Sequence, residues 1–364
     1  MRVLALNPFH GGSHRAFLDG WMANSQHRFT LLTLPARHWK WRMRHAAVTF
    51  AETASQLRVD GECWDAVLTT DMLNLAEFRG LCPAEICRLP SVVYFHENQL
   101  TYPVVTAEER DLHFAFTNLT TSLAATRVWF NSAFHRDEYH AALDAWRRRL
   151  PGDLPTGIVE GLRRKSRVEP PAIERFQPRE TRRGGPLRLV WAARWEHDKA
   201  PDTFFTALES LENRGCDFRV SVLGESFSAV PPCFSRARRH FADRIDHWGF
   251  LPDHRTYRSV LQDADVVVST AHHEFFGLAV VEAVAAGCFP MVPNRLAYPE
   301  VLGREPVFFH DGTARDLAHQ LERLADRVRD GVIWEGVSRP CERLNERYGW
   351  KQRAPAMDDA IESL

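Results

Sequence analysis

The segment DADVVVSTAHHEFFGLAVVEAVAAGCFPMV, residues 263–292, holds the pattern that decides the fold of this chain. An apolar run predicts a buried strand that ends at Ser269, and an alanine- and valine-rich helix is predicted from about Leu278. After Gly287 a second apolar strand begins. Two short apolar strands joined through a helix form a parallel pair, so the segment predicts a βαβ unit.

The same alternation of apolar runs and helix-sized segments extends along all 364 residues. Such runs indicate parallel sheets covered by helices on both faces. Two doubly wound, Rossmann-like α/β domains accommodate them better than one sheet does. The ten predicted strands are Val3–Leu6, Phe29–Leu32, Ala66–Thr69, Val92–Phe95, Val128–Phe130, Leu187–Trp191, Phe218–Leu223, Val266–Ser269, Phe289–Val292 and Pro306–Phe309.

The segment Leu150–Gly185 is rich in proline, glycine and arginine, which predicts a long loop followed by an interdomain linker. We therefore expect a first domain at residues 1–178 and a second at residues 179–345. The C-terminal segment 346–364 is amphipathic, and it is predicted to form a helix that packs back on the first domain.

Composition excludes several classes of protein. The formal net charge of -1, from 46 Lys+Arg and 47 Asp+Glu, argues against a protein that coats nucleic acid but allows a local basic patch. The seven cysteines are scattered and form no CxxC pair, so we expect free thiols and no structural zinc. No secretory signal or membrane span is predicted, which favours a cytoplasmic protein without stable membrane association.

Two glutamates frame the loop of the 263–292 segment. Glu274 lies in the loop and Glu282 about one turn into the helix, so both are expected to face the same cleft. Carboxylates are strong acceptors for sugar and ribose hydroxyls, and an idle charge among the apolar neighbours of Glu282 would be costly. Gly277 leaves the amides of Phe276 and Leu278 free to contact phosphate at the helix N-terminus.

Arg194 and Lys199 follow the strand Leu187–Trp191, five residues apart. Two cations at the end of a strand suit a diphosphate leaving group, because negative charge develops there as the bond to the sugar breaks. The alternative is that both are surface cations flanking a helix that begins near Pro201.

The predicted first domain carries polar residues after two of its strands. Gly11 and Gly12 allow close approach of a ligand to the backbone, although the motif is not GxGxxG and two such glycines also occur in simple turns. The fourth strand is followed by four polar residues, and an imidazole there accepts a hydrogen bond from a sugar or stabilises developing charge. In the alternative reading, the glutamate and asparagine only satisfy backbone amides of the loop. The four residues are His96, Glu97, Asn98 and Gln99.

A cluster of cations and indoles follows the second strand. Bases stack on indoles while cations bind phosphates, so this composition suits an RNA loop. The cluster comprises Arg37, Trp39, Lys40, Trp41, Arg42 and Arg44. A second basic run at residues 147–167 is interpreted as a solvated charged surface.

These motifs resemble the retaining GT-B glycosyltransferases of family 4, and the resemblance implies two doubly wound Rossmann-like domains facing across a cleft. The resemblance rests on the E-x7-E element of Glu274 and Glu282, the upstream R-x4-K of Arg194 and Lys199, Gly249 in HWGFLPD, and the linker IERFQP. A narrower resemblance covers nearly the whole chain. Six segments are similar to those of the tRNA-queuosine mannosyltransferases, namely FHGGSH, TLPARHWKWRMR, FHENQLTYPV, ERDLHFAFTN, STAHHEFFGLAVVEAV and PNRLAYPE.

The resemblance implies that the chain transfers mannose from GDP-mannose to queuosine in a tRNA anticodon, with retention of configuration and without a bound metal or other cofactor. It implies that Arg194 and Lys199 hold the diphosphate, that Glu274 contacts the transferred sugar and that Glu282 contacts the ribose. It further places His96 on the acceptor side, near the anomeric carbon. Amides at Phe276, Gly277 and Leu278 would bind phosphate, and backbone at Gly249, Phe250 and Leu251 would meet the base.

Two other functions remain open at this point. One is a family 4 enzyme with a lipid-linked or polysaccharide acceptor, in which the basic and aromatic residues at 37–44 face a membrane. The other is a catalytically silent RNA-binding module on the same scaffold. Retention of both glutamates together with Arg194 and Lys199 argues against the silent module, because a binding protein does not need all four.

Overall fold

The computed structural model describes residues 1–103, 111–149, 152, 154–155, 157–226 and 230–364. The chain divides into two compact units, one of residues 1–172 with 350–364 and one of residues 173–349. The sequence-based boundaries, at residues 178 and 346, lie within a few residues of these limits.

In the described part of the first unit, six strands form one parallel sheet of order β2-β1-β3-β4-β5-β6. The strands are β1 Arg2–His10, β2 Arg28–Pro35, β3 Ala66–Thr70, β4 Ser91–Phe95, β5 Arg127–Phe130 and β6 Ser166–Val168. The helices are α1 Gly12–Asn24, α2 Trp39–Val59, α3 Leu75–Leu81, α4 Ala84–Cys87, α5 Leu112–Ala124, α6 Ala133–Arg147 and α7 Ile158–Lys165.

The described part of the second unit repeats this architecture with the order β12-β11-β10-β7-β8-β9. Its strands are β7 Leu187–Ala192, β8 Phe218–Leu223, β9 Ile245–Gly249, β10 Val266–Val268, β11 Phe289–Pro293 and β12 Phe309–His310. The helices that follow β7 are α8 Pro201–Asn213, α9 Cys233–His240, α10 His254–Asp263, α11 Leu278–Ala286, α12 Tyr298–Leu302, α13 Ala314–Asp330 and α14 Cys341–Tyr348. The predicted pair of parallel, doubly wound sheets is confirmed.

Strand β1 shows why the first sheet is covered on both faces. Leu4 and Leu6 belong to one buried cluster, whereas Val3 and Ala5 belong to another. Side chains alternate across a strand, so a strand that is apolar at every position must be packed on both sides.

The last helix, α15 (Trp350–Glu362), belongs to the first unit. The ring of Trp350 occupies the space beside Gly20, where an added Cβ would lie 2.0 Å from Cζ2 of the indole. The buried carboxylate of Asp358 accepts hydrogen bonds from Nε1 of Trp21 at 2.8 Å and from the amide of Gln26 at 2.9 Å. These donors compensate the loss of hydration of a buried charge.

Three sequence-based predictions about local structure are wrong. Helix α7 and strand β6 lie inside the segment Leu150–Gly185, which was predicted to be loop and linker. No proline occurs between Pro155 and Pro170, so the backbone there is able to form a helix, and Val159 and Leu162 supply its buried face. Residues 150, 151, 153 and 156 of that segment lie outside the described residues.

Strand β9 was missed because it lies at the edge of its sheet and carries Asp246 and His247 instead of a continuous apolar run. The predicted strand Pro306–Phe309 is mostly wrong, since Pro306–Phe308 form a 3₁₀ turn and β12 comprises only Phe309 and His310. Proline lacks the N–H that a strand ladder requires, which explains the shift.

Among the described residues, no helix combines the length and the apolar character that crossing a membrane requires.

Candidate functional site

In the second unit, the structure brings Lys199 and Glu274 together. Lys199 ends a 3₁₀ turn that follows β7, and only 7% of its surface is exposed. Its ammonium Nζ donates to the carbonyl of His273 at 2.7 Å and lies 3.4 Å from Oε2 of Glu274. The loops after β7 and β10, distant in sequence, therefore meet through one buried cation.

Asp198 is a third member of this cluster and is not among the predicted residues. Its buried carboxylate Oδ2 lies 3.1 Å from Nζ of Lys199. Burial by itself lowers the pKa of Lys199, but Glu274 and Asp198 together outweigh that effect and leave the pKa above its ordinary value. The ammonium is thus charged at neutral pH, as binding of a diphosphate requires. The only sequence feature that could have indicated Asp198 is its position next to Lys199.

A pocket of about 290 Å³, counting its open mouth, lies at the carboxyl ends of β7 and β10. Lys199, Glu274 and Gly277 contribute to its lining, together with Ser269 and Tyr298. Ligands of open parallel sheets bind at this edge, and the pocket has the mixed lining of cation, carboxylate and apolar groups that a sugar phosphate requires.

Tyr298, which is also not among the predicted residues, explains the glycine at position 277. Gly277 has a φ of +85°, and a Cβ added there would lie 2.8 Å from Cε1 of the Tyr298 ring. The phenol of Tyr298 is fixed by a hydrogen bond of 2.6 Å with Oγ of Ser269. Glycine is therefore required by backbone conformation and by close packing together.

The segment of Phe276, Gly277 and Leu278 forms the N-terminus of α11. Gly277 is its N-cap and offers no side-chain acceptor, so the first amides of this nine-residue helix have no capping side chain. Phe276 is buried and packs edge-to-face on Tyr348, with ring centroids 5.2 Å apart. The backbone here has the arrangement expected of a phosphate-binding helix N-terminus.

Glu282 lies about one turn into α11, as the sequence predicts, but it is not among the residues that line the pocket. Its Oε2 accepts a hydrogen bond of 2.7 Å from the phenol of Tyr257 on α10. Burial raises the pKa of Glu282 to about 7. No sequence motif indicates Tyr257, because it lies on α10, outside the segment that carries Glu274 and Glu282.

The remaining predicted donor residues lie around the same sheet edge. Arg194 follows β7, and its half-exposed guanidinium lies 3.4 Å from Oε2 of Glu196. Gly249 ends β9 with a φ of +107°, and its carbonyl accepts from the amide of Gly224 at 3.2 Å. The next side chain, Phe250, is largely exposed, and Leu251 is partly exposed.

In the first unit, His96 follows β4 and is enclosed by rings. Its ring centroid lies 4.0 Å from that of His14 and 4.7 Å from that of Tyr94. Burial lowers the pKa of His96 well below its ordinary value, and the neighbouring His14 and His135 lower it further. The imidazole is therefore neutral, and its buried Nε2 has no hydrogen-bond partner among the described residues.

A fully buried acid, Asp71, anchors the loop that carries His96. It follows β3 directly, and its Oδ1 accepts from the His96 amide at 2.9 Å. Burial raises the pKa of Asp71 well above its ordinary value, and nearby Glu97 raises it further. Asp71 is not among the predicted residues, although an acid directly after a buried strand lies at the ligand-binding edge of the sheet.

Asn98 and Gln99 make hydrogen bonds within the loop that follows β4 and to helix α5. Asn98 is buried, and its Oδ1 accepts from the amides of Leu100 and Thr101, which is the loop-capping role that the sequence left open. The amide of Gln99 donates to Oδ1 of Asn118 at 2.7 Å, and its side chain donates to Glu97. These residues hold the loop in place around His96.

Gly11 is required by packing. A Cβ added at Gly11 would lie 2.3 Å from Cβ of Ala36, so the residues that follow β1 and β2 approach each other too closely for a side chain at position 11. Gly12 begins α1 with a φ of +48°, a conformation that favours glycine. The geometry of this turn accounts for both glycines, whether or not a ligand binds beside it.

The structure separates the two indoles at the start of α2. Trp39 packs against Phe114, with ring centroids 5.1 Å apart, beside the buried residue Met43. Trp41 is 62% exposed, and its ring lies 5.2 Å from that of His45. Only Trp41 of this pair therefore presents a large ring face to a partner.

The cations of this cluster differ in how far their side chains are held by neighbouring residues. Arg37 and Lys40 are exposed, and Arg44 is exposed with its guanidinium 4.9 Å from the Phe114 ring. Arg42 donates to the carbonyl of Pro35 at 3.1 Å and to the His45 ring at 2.9 Å, so it is held by its own helix and strand. The basic run at 147–167, in contrast, contains Arg163, Arg164 and Arg167 in ion pairs with Asp144, Glu160 and Glu169.

Comparison with known proteins places this geometry in a family. Residues 2–173 match the family described as tRNA-queuosine alpha-mannosyltransferase N-terminal, and residues 172–327 match glycosyl transferases group 1. In structure, the chain resembles sucrose-phosphate synthase from Thermosynechococcus elongatus, with a TM-score of 0.71 at 14% identity, covering 100% of this chain and 99% of that one. Anabaena Alr3699/HepE in complex with UDP gives a TM-score of 0.69 at 13% identity, covering both chains fully. The expected GT-B fold class is confirmed.

Two curated relatives extend the comparison. The glycogen synthase of Mycobacterium tuberculosis is 25% identical over 287 residues, which cover 73% of this chain and 67% of that protein. The tRNA-queuosine alpha-mannosyltransferase of Drosophila melanogaster is 34% identical over 318 residues, which cover 84% of this chain and 83% of that protein. The chain is thus a glycosyltransferase and belongs to the tRNA-queuosine alpha-mannosyltransferase family.

Proposed function

We propose that this protein transfers mannose from GDP-mannose to queuosine in the anticodon of a tRNA, in the cytoplasm and with retention of configuration. The observation that carries the donor half is the buried contact of Lys199 with Glu274 in the pocket at the carboxyl ends of β7 and β10. The acceptor half is supported by the identity of 34% to a tRNA-queuosine alpha-mannosyltransferase. The seven free cysteines suit a reducing compartment.

In this proposal, Lys199 and Arg194 bind the diphosphate of the donor. As the bond between the anomeric carbon and the phosphate oxygen breaks, its electron pair passes to the departing nucleoside diphosphate. The ammonium of Lys199 and the first amides of α11 stabilise that charge. Since these groups supply the positive charge, we propose that transfer proceeds without a bound metal ion.

Glu274 accepts hydrogen bonds from hydroxyls of the transferred sugar, and Glu282 accepts them from the ribose. The acceptor hydroxyl forms its new bond to the anomeric carbon on the face from which the diphosphate leaves, and its proton passes to a phosphate oxygen of the leaving group. His96, which is neutral and has a buried Nε2 without a described partner, hydrogen-bonds to hydroxyls on the acceptor side.

The exposed cations Arg37, Lys40 and Arg44 bind phosphates of the anticodon loop, and Trp41 provides a surface on which a base stacks. A surface of this kind requires no excess of positive charge over the whole chain. Binding of tRNA should therefore weaken steeply with salt, because phosphate contacts release counterions.

The direct test is mass spectrometry of the nucleosides from queuosine-containing tRNA after incubation with the protein and GDP-mannose. Queuosine-free tRNA is the matched control. We expect a gain of one hexose mass on queuosine alone. No gain, in a protein that still binds GDP-mannose, would refute the acceptor and leave the donor assignment standing.

A lipid acceptor is the competing function with an observation in its favour. A GDP-mannose-dependent phosphatidylinositol dimannoside mannosyltransferase of Mycobacterium tuberculosis is 28% identical over 173 residues, 47% of this chain and 42% of that protein. Flotation with vesicles containing anionic lipid separates the two, since a tRNA enzyme should remain with the soluble fraction.

A further inference from the structure

Tyr257 and Glu282 form a hydrogen-bonded pair on neighbouring helices of the second unit. The phenol of Tyr257, on α10, donates to Oε2 of Glu282, on α11, at 2.7 Å. A hydroxyl donating to a carboxylate at this distance makes a strong, charge-assisted bond. The two helices thus hold one carboxylate in a defined orientation.

The pair engages one carboxylate oxygen and leaves the other without a partner. Among the described residues, Oε1 of Glu282 accepts no hydrogen bond, and the residue is half-buried rather than sealed from solvent. A partly desolvated carboxylate oxygen is stabilised when a ligand donates to it. The hydrogen bond from Tyr257 to Oε2 therefore determines the direction in which the second acceptor, Oε1, points.

Other charged groups near Glu282 act on it from a distance. Arg258 lowers the pKa of Glu282 and Glu174 raises it. The guanidinium of Arg258, however, lies 3.9 Å from the centre of the Phe176 ring and donates to the carbonyl of Arg175. Tyr257 is the described residue whose side chain contacts the carboxylate directly.

We propose that Tyr257 is a positioning residue that orients Glu282, so that Oε1 accepts from the ribose hydroxyls of a nucleoside diphosphate. This proposal rests on the ribose-binding role of Glu282 in the proposed function. It adds a residue on a different helix that makes that role possible.

The hydrogen bond also sets the charge of Glu282. Burial raises the pKa of Glu282 to about 7, and the Tyr257 hydrogen bond is the largest effect that opposes this rise. Ribose hydroxyls donate more strongly to an ionised carboxylate than to a neutral acid. Loss of the phenol therefore raises the pKa further, and at neutral pH more molecules carry a protonated Glu282 that accepts poorly.

The test compares the wild-type chain with Tyr257→Phe in binding of GDP and of 2′,3′-dideoxy-GDP, by calorimetry from pH 6 to pH 9 (roughly the range in which such a carboxyl titrates). We expect the variant to bind GDP about tenfold more weakly at neutral pH, with the loss shrinking as pH rises. Its affinity for the dideoxy compound should match that of the wild type. Tyr139→Phe, which removes a buried phenol from the first unit, is the matched control and should change neither affinity.

Three results would overturn the proposal. Equal losses for both ligands would show that Tyr257 supports packing alone, and unchanged affinities would show no role. Tighter GDP binding would show that the phenol occupies the place of a ribose hydroxyl.

Failure of the proposed donor is distinguishable from failure of this inference. If the wild type binds UDP or ADP instead of GDP, the same contrast between ribose and dideoxyribose tests Tyr257, while the guanine assignment falls. Carbon-13 titration of the Glu282 carboxyl, which needs no ligand, should show a higher pKa in Tyr257→Phe. Binding of none of these nucleotides would overturn both proposals.

Discussion

The two units differ in how their predicted site residues are held. In the second unit, Lys199 contacts Glu274 and Asp198, and Glu282 contacts Tyr257, so the functional groups restrain one another. In the first unit, the predicted residues divide between groups that hold the structure and groups that face solvent. A diphosphate needs preorganised charge in a small pocket, whereas an RNA loop needs an exposed surface that it can cover.

The largest expected effect breaks the restrained cluster of the second unit. Replacing Lys199 by Ala should lower kcat about 10²–10³-fold, as loss of one preorganised donor to a developing anion does. Turnover is measured by release of the nucleoside diphosphate. Lys351→Ala, at an exposed position of α15, is the control and should retain full turnover. Near-normal turnover in Lys199→Ala, with an intact fold by circular dichroism, would refute its assignment.

The second prediction compares two tryptophans of α2, of which Trp39 is expected to stabilise the fold and Trp41 to bind RNA. Trp39→Ala should lower the free energy of unfolding by about 3 kcal/mol, because it leaves a cavity beside Phe114. Trp41→Ala should leave stability within about 0.5 kcal/mol of wild type but weaken tRNA binding by about 1–3 kcal/mol, through loss of base stacking. Urea unfolding and filter binding measure the two quantities. If both variants lost the same stability and the same tRNA affinity, the two tryptophans would not have separate roles.

The third prediction concerns the glycine that lines the pocket. Gly277→Ala introduces a side chain at φ +85° and a contact of 2.8 Å with the Tyr298 ring. We expect a loss of about 2–3 kcal/mol of unfolding free energy, from both causes. Gly61→Ala is the control, since it has a φ of +100° with open space around it, and it should cost only about 1 kcal/mol. Equal losses would show that the Tyr298 contact contributes nothing.

The smallest effect has the opposite sign. Ala200, directly after Lys199, has a φ of +46°, which a side chain adopts only with strain. Ala200→Gly should therefore raise the free energy of unfolding by about 1 kcal/mol, measured by urea denaturation. A matched Ala→Gly change at Ala207, inside α8, should lower it by a similar amount or more. A loss at Ala200 would mean that its methyl group packs better than its conformation costs.

Much of the fold was predictable because apolar runs are local signals. The first nine predicted strands all correspond to strands in the structure, since each reads as a short apolar run. Eight of them are largely buried, and the exception is the edge strand β2, which is partly exposed. Strand β9 lacks this signal because Asp246 and His247 interrupt its apolar residues. Helix α7 lacks a clear signal because its short proline-free stretch lies between proline-rich flanks.

The sequence by itself determined the fold class, the family and the positions of Glu274, Glu282, Arg194 and Lys199, because spacing along one chain records which residues follow which strand. Only the tertiary structure decided which groups meet. Lys199 and Glu274 are 75 residues apart, and Tyr257 and Glu282 are on different helices, so packing alone brings them into contact. Packing likewise placed Trp39, partly buried, against the cluster of Met43 and Phe114 and left Trp41 on the surface, although both lie in one short motif.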